Sequence, residues 1–178
     1  MPEGQHIEYQ KNGFVISTDP ARLDLEVISQ FLSQTYWANK RPREVLERAI
    51  ANSFCFGVYT ADRQQVGFAR VITDRATFGY LADVFILEPY RGQGLATWLL
   101  RTILQHPELK TLSRWSLATR DAHRLYRSLG FTDLLRPERY MEFIVPERGS
   151  SETGLKALLH RTRKIIRRAL DGPPDPRW

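Results

Sequence analysis

Tyr90-Arg-Gly-Gln-Gly-Leu-Ala96 stands between an apolar run, 81–87, and an amphipathic segment, 95–104. A strand, a glycine-punctuated turn led by arginine, then a helix is a physical device for holding phosphate. Backbone N–H groups at a helix start have no partner within the helix, and its dipole makes that end attract anions. Glycine at 92 and 94 removes the Cβ atoms that would keep a bulky diphosphate away from those donors. Two better-known phosphate loops are excluded. The chain has no Gly-x-x-x-x-Gly-Lys followed by Ser or Thr, and Thr97 occupies the third glycine position of Gly-x-Gly-x-x-Gly.

Downstream, Asp121-Ala-His-Arg-Leu-Tyr-Arg-Ser-Leu-Gly-Phe131 reads as a short helix. Asp121 is placed to cap it, the apolar stripe is Ala122, Leu125, Tyr126 and Leu129, and Gly130 is placed to end it. The two stretches together resemble the GNAT acetyltransferases. Arg91-x-x-Gly94-x-Ala96 is similar to that family's pyrophosphate loop (Gln or Arg, two residues, Gly, one residue, Gly or Ala). The helix is similar to its second hallmark, Ala-x-x-Leu-Tyr followed by Gly-Phe. Both occur in the family's order.

The chain has 178 residues, the size of one domain with a substantial core. No run approaches the ~20 apolar residues of a membrane span, and the polar start reads as no signal peptide. The lone Cys55, between Phe54 and Phe56, has no internal disulfide partner and reads as a small buried hydrophobe rather than a catalytic thiol, which fits a cytoplasmic setting. The four histidines are scattered without ligand spacing, so no metal is expected. Four of the six excess positive charges lie from Glu147 onward, where eight Lys or Arg face four Asp or Glu. The modest positive balance suits a polyphosphate ligand and is too weak to argue for nucleic acid.

Along the chain, strands are expected at 14–18, 54–60, 66–73, 78–87, 115–119 and 139–144, and helices at 23–35, 43–52, 94–105 and from Asp121. Residues 61–64 read as a hairpin turn, and Pro107 marks the stop of the third helix. This order matches the fold that the resemblance implies over 14–145: an α/β GNAT fold, a central mixed sheet flanked by helices, in a domain of residues 1–146. Residues 147–178 read as a linker, a basic amphipathic helix and a proline-rich tail. The helix has apolar Leu155, Leu158, Leu159, Ile165, Ile166, Ala169 and Leu170 on one face. That face would dock on this domain or on a second subunit, as in a homodimer. A membrane surface, a partner groove and nucleic acid are the other readings of such a helix.

The resemblance implies an N-acetyltransferase that moves an acetyl group from acetyl-coenzyme A directly to a primary amine, here of a small molecule, without a metal. The pyrophosphate would lie on Arg91, Gly92, Gln93, Gly94, Leu95 and Ala96. Val84, Phe85 and Ile86 would form the bulged strand that pairs with the pantetheine arm and offers an N–H to the thioester oxygen. Tyr126 corresponds to the tyrosine that protonates the departing thiolate. Thr119 occupies the position of a cofactor-contacting asparagine, with less reach and no amide. For the base, Asp83 is favoured as a carboxylate inside an apolar strand, an expensive place for a charge unless it faces a wet cleft. Glu88 or a water chain are the alternatives. Tyr36 and Trp37, with Trp115 near them, would wall the acceptor pocket. A different class of reading is a non-catalytic coenzyme A-binding regulatory or interaction module that works through the basic helix.

Overall fold

The computed structural model describes residues 6–143. The expected 147–178 linker, basic helix and proline-rich tail, and Ile144 of the expected last strand, lie outside them. Contacts divide the chain into two compact units at Thr132 and Asp133.

The first unit holds one six-stranded sheet whose spatial order follows the chain. Its strands are β1 (Glu8–Lys11), β2 (Phe14–Ser17), β3 (Phe54–Thr60), β4 (Gln65–Thr73), β5 (Phe78–Ile86) and β6 (Arg114–Ser116). Neighbours from β1 to β5 pair antiparallel, whereas β5 and β6 are parallel. The helices are α1 (Leu25–Ser33), α2 (Arg43–Ala51), α3 (Leu95–Gln105) and α4 (His123–Arg127). α1 starts where the Asp24 carboxylate accepts the N–H groups of Glu26 and Val27. α2 starts after Pro42, whose fixed φ suits a helix entrance.

Alternation along the strands sorts the core onto two faces. Phe56, Val71, Leu81 and Ile86 pack with Leu95, Leu99, Leu100 and Ile103 of α3. Cys55, Phe68 and Phe85 pack with Ile28 and Leu32 of α1 and Leu46 and Ile50 of α2. Cys55 is buried there and its thiol is pushed up to about 12, chiefly by burial, which makes it inert.

Sequence and structure differ at three places. β1 was not expected: it forms a hairpin with β2 through Asn12-Gly13, both at positive φ, the chemistry that a two-residue turn demands. β6 is shorter than 115–119, because the ladder with β5 runs only from Phe78↔Arg114 to Tyr80↔Ser116. The expected strand at 139–144 is absent over its described part. In the second unit, Pro137–Arg139 forms a single 3-10 turn and 140–143 carries no strand. Alternating apolar residues do not make a strand without a neighbour to supply the ladder.

Candidate active site

The site grows from one irregularity in β5. Opposite Phe68 and Arg70 of β4 stand Phe85 and Ala82, so β5 carries one extra residue. Asp83 sits in that bulge with φ +52, a conformation costly for a residue with a side chain. The bulge switches faces: Leu81, Val84 and Ile86 belong to the α3 side, while Phe85 stacks on Phe31 of α1 at 4.0 Å. Since β6 pairs β5 only as far as Tyr80, the β6-facing edge of 81–86 has no ladder among the described residues. The two parallel strands thus part beside the bulge and leave backbone groups open to a ligand.

A cavity of about 540 Å³ opens there, lined by Val84, Thr119, Tyr126, Asp83, Tyr36 and Trp37, all named by the sequence reading. Tyr126 is half-buried on α4, and burial first, with Tyr36 and Tyr80 adding to it, pushes its phenol up to about 12. Tyr36 accepts the Arg120 N–H at 3.1 Å, carries the Arg120 guanidinium over its ring at 3.8 Å, and meets Trp37 edge-on at 4.9 Å. Trp115 does not join this wall. Its ring lies over Gly79, where a Cβ would meet it at 2.8 Å, and it packs on the core.

The Asp83 side chain is 2% exposed, and one of its oxygens accepts Arg41 Nη1 at 2.7 Å and Arg70 Nε at 2.6 Å. Burial alone would raise its pKa, but the bonds and charges of Arg41 and Arg70 outweigh this and hold it below the ordinary carboxylate value. A carboxylate so held is a poor base. In the structure Asp83 anchors two arginines, Arg41 and Arg70. The expectation of Asp121 as helix cap is corrected: the N-cap of α4 is Ala122, whose N–H goes to the Thr119 hydroxyl at 3.0 Å, and no side chain caps the helix itself. Asp121 instead lines the cavity and lies 3.5 Å from Arg120.

The sequence reading missed Arg41, Arg70 and Arg120. Arg70 carried a usable signal, a charge inside the apolar strand 66–73 that mirrors Asp83 in 81–87. Arg41, in the loop before α2, carried none.

Beyond the bulge, β5 runs into the turn quoted at the outset. Gly92 has φ +76 and Gly94 φ +75, the left-handed region that glycine enters freely, and a Cβ on either would meet nothing within 4 Å. Gly94 is the N-cap of α3, and its carbonyl takes the first helical bond from Trp98 at 3.0 Å. Among the described residues, no acceptor takes the N–H groups of residues 92–97. A cleft of about 240 Å³ lies over them, lined by Ile86, Tyr90, Arg91, Gly92, Gly94, Leu95, Ala96 and Thr97. Gln93 lines a neighbouring cleft with Gly94 and Trp98. The Arg91 side chain folds back so that Nε donates to the Ile86 carbonyl at 3.0 Å, which fixes the turn to the end of β5.

Unpaired N–H groups at a helix start, an open strand edge and a half-buried tyrosine in succession are what a transferase with a long, phosphate-ended donor would need. The comparisons agree with that class. Residues 52–133 match the model of the acetyltransferase (GNAT) domain. A protein of Gibberella zeae described as an acetyltransferase is 33% identical over 146 residues, 70% of this chain and 82% of its own. A crystal structure of a GNAT-family protein from Xanthomonas campestris pv. campestris superposes with a TM-score of 0.74 at 46% identity, covering 80% of this chain and all of its own. A GNAT-family acetyltransferase of Elizabethkingia anophelis, solved with acetyl-CoA bound, shares the fold at a TM-score of 0.55 and 14% identity, over 77% of this chain and 91% of its own. The chain belongs to the GNAT acetyltransferase family and is an acyl-CoA-dependent N-acetyltransferase.

Proposed function

We propose that the chain transfers an acetyl group from acetyl-coenzyme A directly to the primary amine of a small molecule. The observation that carries this reading is the continuity of the site. The unpaired N–H groups of 92–97, the open edge of 81–86 and the Tyr126 cavity follow one another along β5, α3 and α4. The Elizabethkingia neighbour, which holds acetyl-CoA on the same fold, supports the choice of donor.

In this reading the α3 start holds the diphosphate, and the open edge of β5 around Val84, Phe85 and Ile86 pairs with the pantetheine arm. An N–H of the bulge polarises the thioester carbonyl. The neutral amine nitrogen attacks that carbon, a C–N bond forms and the C–S bond breaks. The nitrogen gives up its proton to water in the cavity, because Asp83 is committed to Arg41 and Arg70. The sulfur leaves with its electron pair and takes the Tyr126 proton, which water then restores. A phenol raised to about 12 stays protonated at neutral pH, as a donor must. The same burial raises a thiol, so the leaving sulfur gains basicity alongside it.

The test is thiol release from acetyl-coenzyme A in the presence of an amine panel, with mass spectrometry of the products. Acetylated amine accompanying the free thiol supports the reading. Coenzyme A binding without transfer to any amine would instead favour a non-catalytic binding module.

A further inference from the structure

The charges around the acceptor cavity do not balance at its buried end. Arg41, Arg70 and Arg120 line it, against Asp83 and Asp121. Arg120 and Asp121 are both largely exposed and lie 3.5 Å apart, and the Arg120 guanidinium is stacked on Tyr36, so that pair settles its own account at the rim. Deeper in, a single carboxylate serves two guanidinium groups, because Arg41 and Arg70 donate to the same oxygen of Asp83. The Arg70 side chain is 9% exposed and Arg41 22%. One positive charge is therefore left over in a place where water screens it poorly, which costs free energy until an anion arrives.

We propose that Arg41, backed by Arg70, docks a carboxylate carried by the acceptor itself, so that the substrate is an amino-acid-like molecule with both an amine and an acid group. The proposal rests on the amine-acetyltransferase reading above. Arg41 spends Nη1 on Asp83, and a guanidinium has five N–H donors in a fixed fork that matches a carboxylate. Asp83 holds that fork from behind, which keeps the guanidinium oriented toward an incoming acid without supplying the proton chemistry. A diamine of the same length brings a second positive charge to an end that is already positive, so the cavity discriminates against it. The aromatic faces of Tyr36 and Trp37 accept the carbon skeleton between the two groups.

The experiment compares matched pairs on the full chain with acetyl-coenzyme A: lysine with cadaverine, tyrosine with tyramine, histidine with histamine. The readout is the ratio of kcat/KM for the acid-bearing member to that for its decarboxylated partner, in the wild type, Arg41→Gln and Arg41→Lys. Damage to the fold lowers both members and leaves the ratio alone. The wild type is expected to favour the acid-bearing member of each pair it uses. In Arg41→Gln the ratio falls by roughly ten- to a hundredfold, as for a lost charged hydrogen bond. Arg41→Lys retains the charge beside Asp83 without the fork and falls between, so it carries the test should Arg41→Gln not fold. Preference for the decarboxylated partners in the wild type, or a ratio unmoved in both variants, overturns the carboxylate site while leaving amine acetylation standing. Absence of transfer to every amine overturns both.

Discussion

Tyr126 packs and faces the candidate site with one side chain: its ring meets Phe131 edge-on at 5.8 Å while the residue lines the cavity beside the β5 bulge. Phenylalanine preserves the ring and removes the proton. Tyr126→Phe is therefore expected to lower kcat by about a hundredfold while acetyl-coenzyme A affinity from calorimetry stays close to wild type. Equal turnover would reduce Tyr126 to packing. Asp83 is argued the opposite way, as a structural charge. Asp83→Asn leaves Arg41 and Arg70 without their shared counter-charge and is expected to cost about 3 kcal/mol of stability, seen as a lower urea midpoint. If Asp83 were also the base, the variant would in addition lose the acid limb of the pH–rate profile. Asp83 and Arg70 show what single residues disclose in advance. Each was visible as a charge in an apolar strand, but their pairing depends on strand register, and Arg41 reaches them from a distant loop.

At the scale of elements, the α3 start divides backbone geometry from charge. Gly94→Ala places a Cβ in open space but forces a left-handed φ on a residue with a side chain, a penalty of about 1 kcal/mol. It should lower the melting temperature by a few degrees and weaken acetyl-coenzyme A only modestly. Gly94→Glu adds a carboxylate over the unpaired N–H groups and should abolish the melting-temperature rise that acetyl-coenzyme A gives the wild type. A rise that survives in Gly94→Glu would remove the turn from the donor site. This element was readable because everything that builds it is local: apolar strand, two glycines, amphipathic helix. The β3 and β4 hairpin was readable for the same reason. The β1 and β2 hairpin had its signal in Asn12-Gly13, yet β1 itself alternates too weakly among polar residues to stand out. The extent of β6 and the absence of a strand at 140–143 depend on which neighbours offer a ladder, and no local pattern states that. The resemblance implied a bulge at Val84, Phe85 and Ile86; the structure puts the irregularity between Ala82 and Phe85, with Asp83 at positive φ, and its consequence, the face switch between Leu81 and Phe85, shows only in the packing.

Across the first unit, two core faces hold the sheet, and His106 closes one of them. It follows α3 directly and is fully buried among Tyr9 of β1 and Phe54 and Phe56 of β3, with ring centroids at 6.3, 4.9 and 5.5 Å. Nδ1 accepts the Glu108 N–H at 3.3 Å, so the neutral ring carries its proton on Nε2, which faces no acceptor among the described residues. Burial depresses its pKa; Glu108 opposes this and Arg75 adds to it. A depressed folded pKa means that below its unfolded value, about 6.5, the unfolded chain binds more protons than the native one. Its contribution to stability is thus complete above that pH and drains away as the pH falls toward the folded value. Asp83 acts with the same sign in a separate window, below its unfolded pKa of about 3.9. The urea midpoint of the wild type should hold steady at neutral pH and begin to fall near pH 6.5, well before the carboxylates titrate. His106→Asn retains an acceptor for the Glu108 N–H but does not charge. It should start from a lower plateau, having lost ring contacts with three aromatic neighbours, and stay flat down to about pH 5. A variant that falls with the wild-type slope between those pH values would show that another group drives the acid loss and that β1, β3 and α3 are not joined through a neutral imidazole.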